Sequence, residues 1–180
     1  MRQLLIETAL GTVRIALALD AAPATAGYFL DEIDRGSLDG GSIFRVLSSA
    51  LGSAGHGVSI DAVQFGTARG LQAPRRHIPH EHTRLTGLCH EAWTVSAARF
   101  SPGEVYGSFF VCTQEEPSLD YGGARHPDGE GFAAFGTVIE GHGVIAQAHA
   151  LAEAGGFLSQ PVAIRSARVV DDAPVARTGA

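Results

Sequence analysis

Ser42-Ile43-Phe44-Arg45-Val46-Leu47 is a short apolar run with one cation set into it, and its reading decides how the rest of the chain is arranged. Its β-branched and aromatic residues predict a strand, entered through the turn residues Asp39-Gly40-Gly41. Regular alternation puts Ile43, Arg45 and Leu47 on one face and Phe44 and Val46 on the other. A guanidinium on a face shared with Ile and Leu reaches out to water, pairs with a carboxylate, or is presented to a ligand. The stretch alone favours the first two, because strand arginines are mostly solvated or paired.

Upstream, residues 4–8 and 12–19 are alternating runs joined by Ala9-Leu10-Gly11, which predicts a hairpin. Asp20-Ala21-Ala22-Pro23 then opens a helix with proline near its first position, Tyr28, Phe29 and Ile33 on its buried face and Gly36 as its stop. Downstream, the small residues of 48–59 read as a surface loop, 62–65 as a strand, and the histidine-rich polar segment 69–91 as irregular. Two strands, 94–98 and 108–112, flank the turn-rich Phe100-Ser101-Pro102-Gly103-Glu104. A loop over 117–131, a strand over 132–139, a second amphipathic helix over 144–152 and a last strand over 162–170 complete one domain, 1–170, followed by a flexible tail, 171–180. Eight short strands, with helices after the second and the seventh, do not alternate as a parallel βαβ fold does. The fold expected is mainly β, a closed eight-stranded antiparallel β-barrel capped by two α-helices.

Composition narrows the partners. Thirteen Lys and Arg against 19 Asp and Glu, a net charge of −6, with no basic cluster, argue against nucleic acid. Cys89 and Cys112 form no disulfide framework. Met1-Arg2-Gln3-Leu4-Leu5-Ile6-Glu7-Thr8 enters a strand at once, without a signal-peptide core, and no window approaches the about 18 apolar residues of a membrane span. The expectation is a mature start at Met1, a cytoplasmic location and no membrane partner.

Six stretches stand in a telling order: Ala22-Pro23-Ala24-Thr25 with Tyr28-Phe29-Leu30; Leu38-Asp39-Gly40 with Phe44-Arg45-Val46; Thr94-Val95-Ser96-Ala97-Ala98-Arg99; Ser108-Phe109-Phe110-Val111-Cys112-Thr113; Leu119-Asp120; and Phe135-Gly136-Thr137-Val138-Ile139-Glu140-Gly141. Over residues 4–170 the chain resembles the cyclophilin family of peptidyl-prolyl cis-trans isomerases, as a divergent, bacterial-like member. The resemblance implies the same capped barrel and rotation about Xaa-Pro bonds, a barrier of about 18–20 kcal/mol between states roughly 0.5–1 kcal/mol apart. Such a reaction needs no nucleophile and no cofactor. It needs a grip on the proline ring and a donor aimed at the twisting amide, for which an always-protonated, rigid guanidinium is suited.

By this resemblance Arg45 is the catalytic arginine and Gln64 the glutamine that orients it and the substrate carbonyl. Phe110 is the floor of the proline pocket and Leu119 a wall, and Ala98 with Arg99 forms the edge whose backbone takes the peptide. Ala62, Ser108 and Phe132 fill further substrate-contacting positions. The implied partners are proline-containing peptides or unfolded protein segments, met by a monomer.

The departures from the family cluster around the site. Ile43-Phe44 replace Phe-His before the arginine, Asp61 and Ala62 replace an aromatic and a methionine, and Ser108 replaces a glutamine. Ser118 stands in place of a tryptophan that hydrogen-bonds cyclosporin, and Phe132 in place of a histidine. Losing the methionine removes burial worth about 2 kcal/mol. Reduced isomerase activity and weak or no cyclosporin binding are therefore expected. The alternative is a catalytically degenerate cyclophilin-like module that binds proline-containing peptides.

Other signals carry less. Gly141-His142-Gly143-Val144-Ile145-Ala146 lies between a strand and a helix, as a dinucleotide fingerprint does, but too little chain follows to build a parallel sheet. His77, His80, His82, Cys89 and His90 are close in sequence but lack a zinc-ligand spacing, so no metal is expected. Ser108 lacks the strand-to-helix elbow of a hydrolase nucleophile.

Overall fold

The computed structural model describes residues 2–52 and 57–171, so part of the expected 48–59 loop and residues 172–180 of the expected tail lie outside the described residues. β1 (Arg2–Thr8) and β2 (Gly11–Leu17) form the hairpin that the alternating runs predict. α1 (Pro23–Asp34) starts on proline and buries Ala26, Phe29, Leu30 and Ile33 against the barrel. No side chain beside α1 caps its first turn. Glu81 does so from far along the chain, accepting from the backbone N–H groups of Ala24 at 3.0 Å and Thr25 at 2.8 Å, at the end of the helix that attracts anions.

β3 (Ser42–Leu47) and β4 (Ala62–Gly66) follow, then β5 (Arg76–His77), the one-turn α2 (Thr83–Thr86), β6 (Thr94–Arg99), β7 (Glu104–Cys112), β8 (Ala134–Glu140), α3 (His142–His149) and β9 (Phe157–Asp171). Hydrogen bonding runs in the order β4-β3-β9-β1-β2-β8-β6-β7, and β7 pairs back to β4. Eight strands thus close an antiparallel barrel, and β5 adds a short ninth outside the ring by pairing with β7. The fold class is the one the sequence predicts.

Several element ends shift by a few residues, with β7 beginning inside the turn expected over 100–104 and α3 two residues before the expected helix, and three further details differ. The segment 69–91 is not wholly irregular, since β5 and α2 lie within it and make α2 a third helix. The last strand begins at Phe157, and Asp171, assigned to the tail by sequence, ends β9 opposite Arg2. The third difference is the orientation of Ile43 relative to Arg45. Ile43 faces Phe65 of β4 while Arg45 faces Gln64, the next residue back, so Phe44 is the extra residue of a β-bulge. The bulge breaks the alternation: Ile43 and Val46 both enter the barrel core, and Arg45 does not share their face. Gly66 accommodates the bulge, because a Cβ there would lie 2.7 Å from the Phe44 ring.

Register then sorts the wall into rows, since directly paired residues share a face. Ile43, Phe65, Phe109 and Ala97 make one inward row, and Val46, Val63, Val111 and Val95 another. The outward side of the same wall carries a second apolar cluster that includes Leu47, Ala62, Tyr106, Phe110 and Leu119. Gly141, in the left-handed region at φ 90°, makes the turn from β8 into α3, and β9 then pairs antiparallel, so this glycine segment serves a cap and not a dinucleotide loop. Among the described residues no helix is long and apolar enough to cross a membrane.

Candidate active site

The outward row next to the core is Arg45, Gln64, Phe110 and Ser96, one residue from each of β3, β4, β7 and β6 in register. The bulge at Phe44 brings the guanidinium into this row. Its carbon lies 5.1 Å from the Phe157 ring centroid, a cation–π contact. Burial lowers the Arg45 pKa, Tyr106 opposes that shift, and the side chain stays a cation.

Gln64 is buried and its amide is fixed. Nε2 donates to Tyr106 Oη at 2.9 Å and to Ser108 Oγ at 3.0 Å, and the Ser108 hydroxyl donates to the Phe65 carbonyl at 2.6 Å. With both N–H bonds committed, Gln64 has only the acceptor Oε1 left for a guanidinium or a peptide N–H.

Phe110 forms a floor that is braced from behind. The buried His90 ring lies parallel to it at 6.3 Å between centroids, with Nδ1 2.7 Å from Asp120 Oδ1 and Nε2 2.8 Å from Ser96 Oγ. This has the connectivity of a hydrolytic triad, yet Ser96 is fully buried and no substrate reaches its hydroxyl. The network holds the floor and the Asp120 loop. The Phe132 ring stands edge-on to Phe110 at 5.6 Å, with the Arg99 guanidinium 4.7 Å from its centroid. Arg99 also binds both oxygens of Asp128 at 2.9 Å and the Gly131 carbonyl at 2.8 Å, so its side chain clamps the loop that carries Phe132.

Arg45, Ala62, Gln64, Ala98, Arg99, Phe110, Leu119 and Phe132 line a single cleft of about 220 Å³. That is smaller than the roughly 300–1,000 Å³ of pockets for drug-sized ligands and suits one ring. Ser108 is the exception among the residues named from sequence. It is fully buried behind Gln64, so it positions that amide and touches no substrate. The register of β6 against β7 shifts at Ala98, on the edge where the resemblance places the peptide.

Leu47, Ile60, Tyr106, Arg125 and His126 complete the lining and were not singled out from sequence. Tyr106 was within reach, because counting back by twos from Phe110 along β7 arrives at it. Ile60 and Leu47 stand beside Ala62, so the wall left short by alanine is partly rebuilt. Asp61 faces away from the cleft: it accepts from Ser49 N–H at 3.2 Å and Gln114 Nε2 at 2.5 Å, and lies 3.1 Å from His149 Nε2. His80 Nε2 lies 3.0 Å from the Glu130 carbonyl, and among the described residues no three His, Cys, Asp or Glu side chains gather as metal ligands.

A family model for cyclophilin type peptidyl-prolyl cis-trans isomerase/CLD matches residues 3–169. The chain belongs to this family. It is 28% identical over 141 residues to peptidyl-prolyl cis-trans isomerase cyp18 of Streptomyces antibioticus, covering 78% of each chain. It is 27% identical over 172 residues to peptidyl-prolyl cis-trans isomerase A of Dickeya dadantii, covering 92% of this chain and 83% of that one. Among solved structures, a cyclophilin type peptidyl-prolyl cis-trans isomerase of Cryptosporidium parvum, crystallised in the presence of the dipeptide Ala-Pro, superimposes with a TM-score of 0.72. The match covers 94% of this chain and 99% of that one at 15% identity, a likeness of fold.

Proposed function

We propose that this cleft is where the chain acts as a peptidyl-prolyl cis-trans isomerase, with the proline ring on Phe110 between Leu119, Phe132 and Ala62. The observation that carries the reading is the row Arg45, Gln64, Phe110, which sets a fixed cation beside an aromatic floor. As the amide twists, its nitrogen gains a lone pair, and an N–H of Arg45 donates to it. Gln64 Oε1 accepts another N–H of the same guanidinium and holds its plane. The barrier is lowered by stabilising charge at the twisted geometry, and no covalent bond forms or breaks. The Ala-Pro dipeptide used with the Cryptosporidium parvum relative supports a proline-containing ligand.

The rate is proposed to be modest, because Ala62 covers less of the ring than a longer side chain does. Ser118, a hydroxyl in place of a tryptophan, supports weak cyclosporin binding. Exchange spectroscopy on an Ala-Xaa-Pro peptide with protein far below peptide concentration tests the function. Isomerase activity gives cis–trans exchange cross-peaks, whereas a binding module shifts the peptide signals without them.

A further inference from the structure

The outward row Phe110, Gln64, Arg45 does not end at the cation. Phe157 of β9 pairs directly with Arg45 of β3, so it continues the row by one more strand. Its neighbour Leu158 enters the barrel core, which leaves the Phe157 ring facing out. That ring is 49% exposed, and the Arg45 guanidinium carbon lies 5.1 Å from its centroid. The Phe44 ring stacks on it at 6.2 Å, so the bulge that brings Arg45 into the cleft also sets a second aromatic beside it. A single exposed apolar side chain needs no explanation. A stacked aromatic pair that adjoins the cleft without lining it extends an apolar floor past the cation.

The backbone that carries Phe157 is fixed on both sides. The Gly156 carbonyl accepts from the Val46 N–H at 2.7 Å, and Glu153 accepts from the Ser159 N–H at 2.8 Å and from the Ser159 hydroxyl at 2.9 Å. A ring held this way offers contact area at little ordering cost. Distance then selects what it meets. With the prolyl nitrogen at an Arg45 N–H, the ring is one guanidinium away, and an extended peptide advances about 3.3 Å per residue. A side chain one or two positions from the proline therefore reaches Phe157, and a half-exposed aromatic face favours an apolar one.

We propose that Phe157, backed by Phe44, is a specificity-determining residue that reads an apolar side chain one or two positions from the substrate proline. The inference rests on the isomerase reading of the adjoining cleft. The probes are alanine-based peptides with one proline, carrying Leu or Ser in turn at each of the two positions before it and the two after it, followed by exchange spectroscopy. The expected result is a Leu-over-Ser ratio in kcat/KM of about fivefold at one of these positions. The ratio should fall toward one in Phe157→Ser. Because it compares two peptides on the same protein, any effect of the variant on Arg45 that both peptides share cancels. A wild-type ratio of one or less at every position, or an undiminished ratio in Phe157→Ser, overturns the proposal. The amide spectrum checks that this variant folds, and Phe157→Leu, expected to keep the order Leu over Ser, provides a second reading. Titrating the same peptides separates the two ideas. Tighter Leu-peptide binding that is lost in Phe157→Ser, without exchange in any peptide, supports the role of Phe157 and contradicts the isomerase, and exchange without a Leu preference does the reverse.

Discussion

Gln64 turns an ordinary strand residue into a fixed acceptor because Tyr106 and Ser108 take both of its N–H groups. Replacing Tyr106 with Phe removes one of those acceptors at almost constant volume. The isomerisation rate should fall about three- to tenfold, equivalent to one hydrogen bond of about 1 kcal/mol, and the unfolding temperature should drop by a few degrees because a buried N–H is left without its acceptor. Asp128 gives a second prediction. Burial would raise its pKa, but the Arg99 bonds, the Glu130 N–H and the charges of Arg99 and His126 outweigh that and hold it at about 2. In the unfolded chain the value is about 3.9, so the contribution to stability is complete above about pH 4 and is lost as the pH falls through about 2. Asp128→Asn should remove that part of the acid slope in thermal unfolding measured across this range. Arg45 was visible from sequence as a cation in an apolar strand sharing a face with Leu47, and both do line the cleft. A bulge is a property of two paired strands, and alternation along one strand misplaced Ile43, which enters the core.

At the scale of elements, the same limit hid β5, α2 and the cap of α1. None is marked by a strong local pattern, and each is held from a distance: β5 by β7, α2 by the Thr83 hydroxyl accepting from Tyr121 N–H at 2.9 Å, and α1 by Glu81. The hairpin and the start of α1 were legible because glycine and proline set their own backbone angles locally. Glu81→Ala leaves two N–H groups of α1 and the Thr25 hydroxyl without their carboxylate. Chemical denaturation should show a loss of about 1–2 kcal/mol, while the cleft residues keep their amide shifts.

Across the whole molecule, one wall of the barrel serves two interiors. β4 buries all five of its residues, Val63 and Phe65 toward the core and Ala62 and Gln64 toward the cleft. That is why each strand of this wall sets a polar residue, Arg45, Gln64, Ser96 or Ser108, into an otherwise apolar run, and why the eight-stranded closure was legible from strand count while the cleft needed the family resemblance. Arg125 and His126 escaped both routes, since a loop brings them back over the wall from far along the chain. The central claim is that the bulge at Phe44 delivers Arg45 to this cleft as the donor to the twisting amide. Exchange spectroscopy on one Xaa-Pro peptide, at equal saturation of wild type and Arg45→Ala, tests it most directly. A loss of about a hundredfold in exchange rate, with peptide still bound, is expected when such a donor is removed. An exchange rate in Arg45→Ala equal to that of the wild type would contradict it.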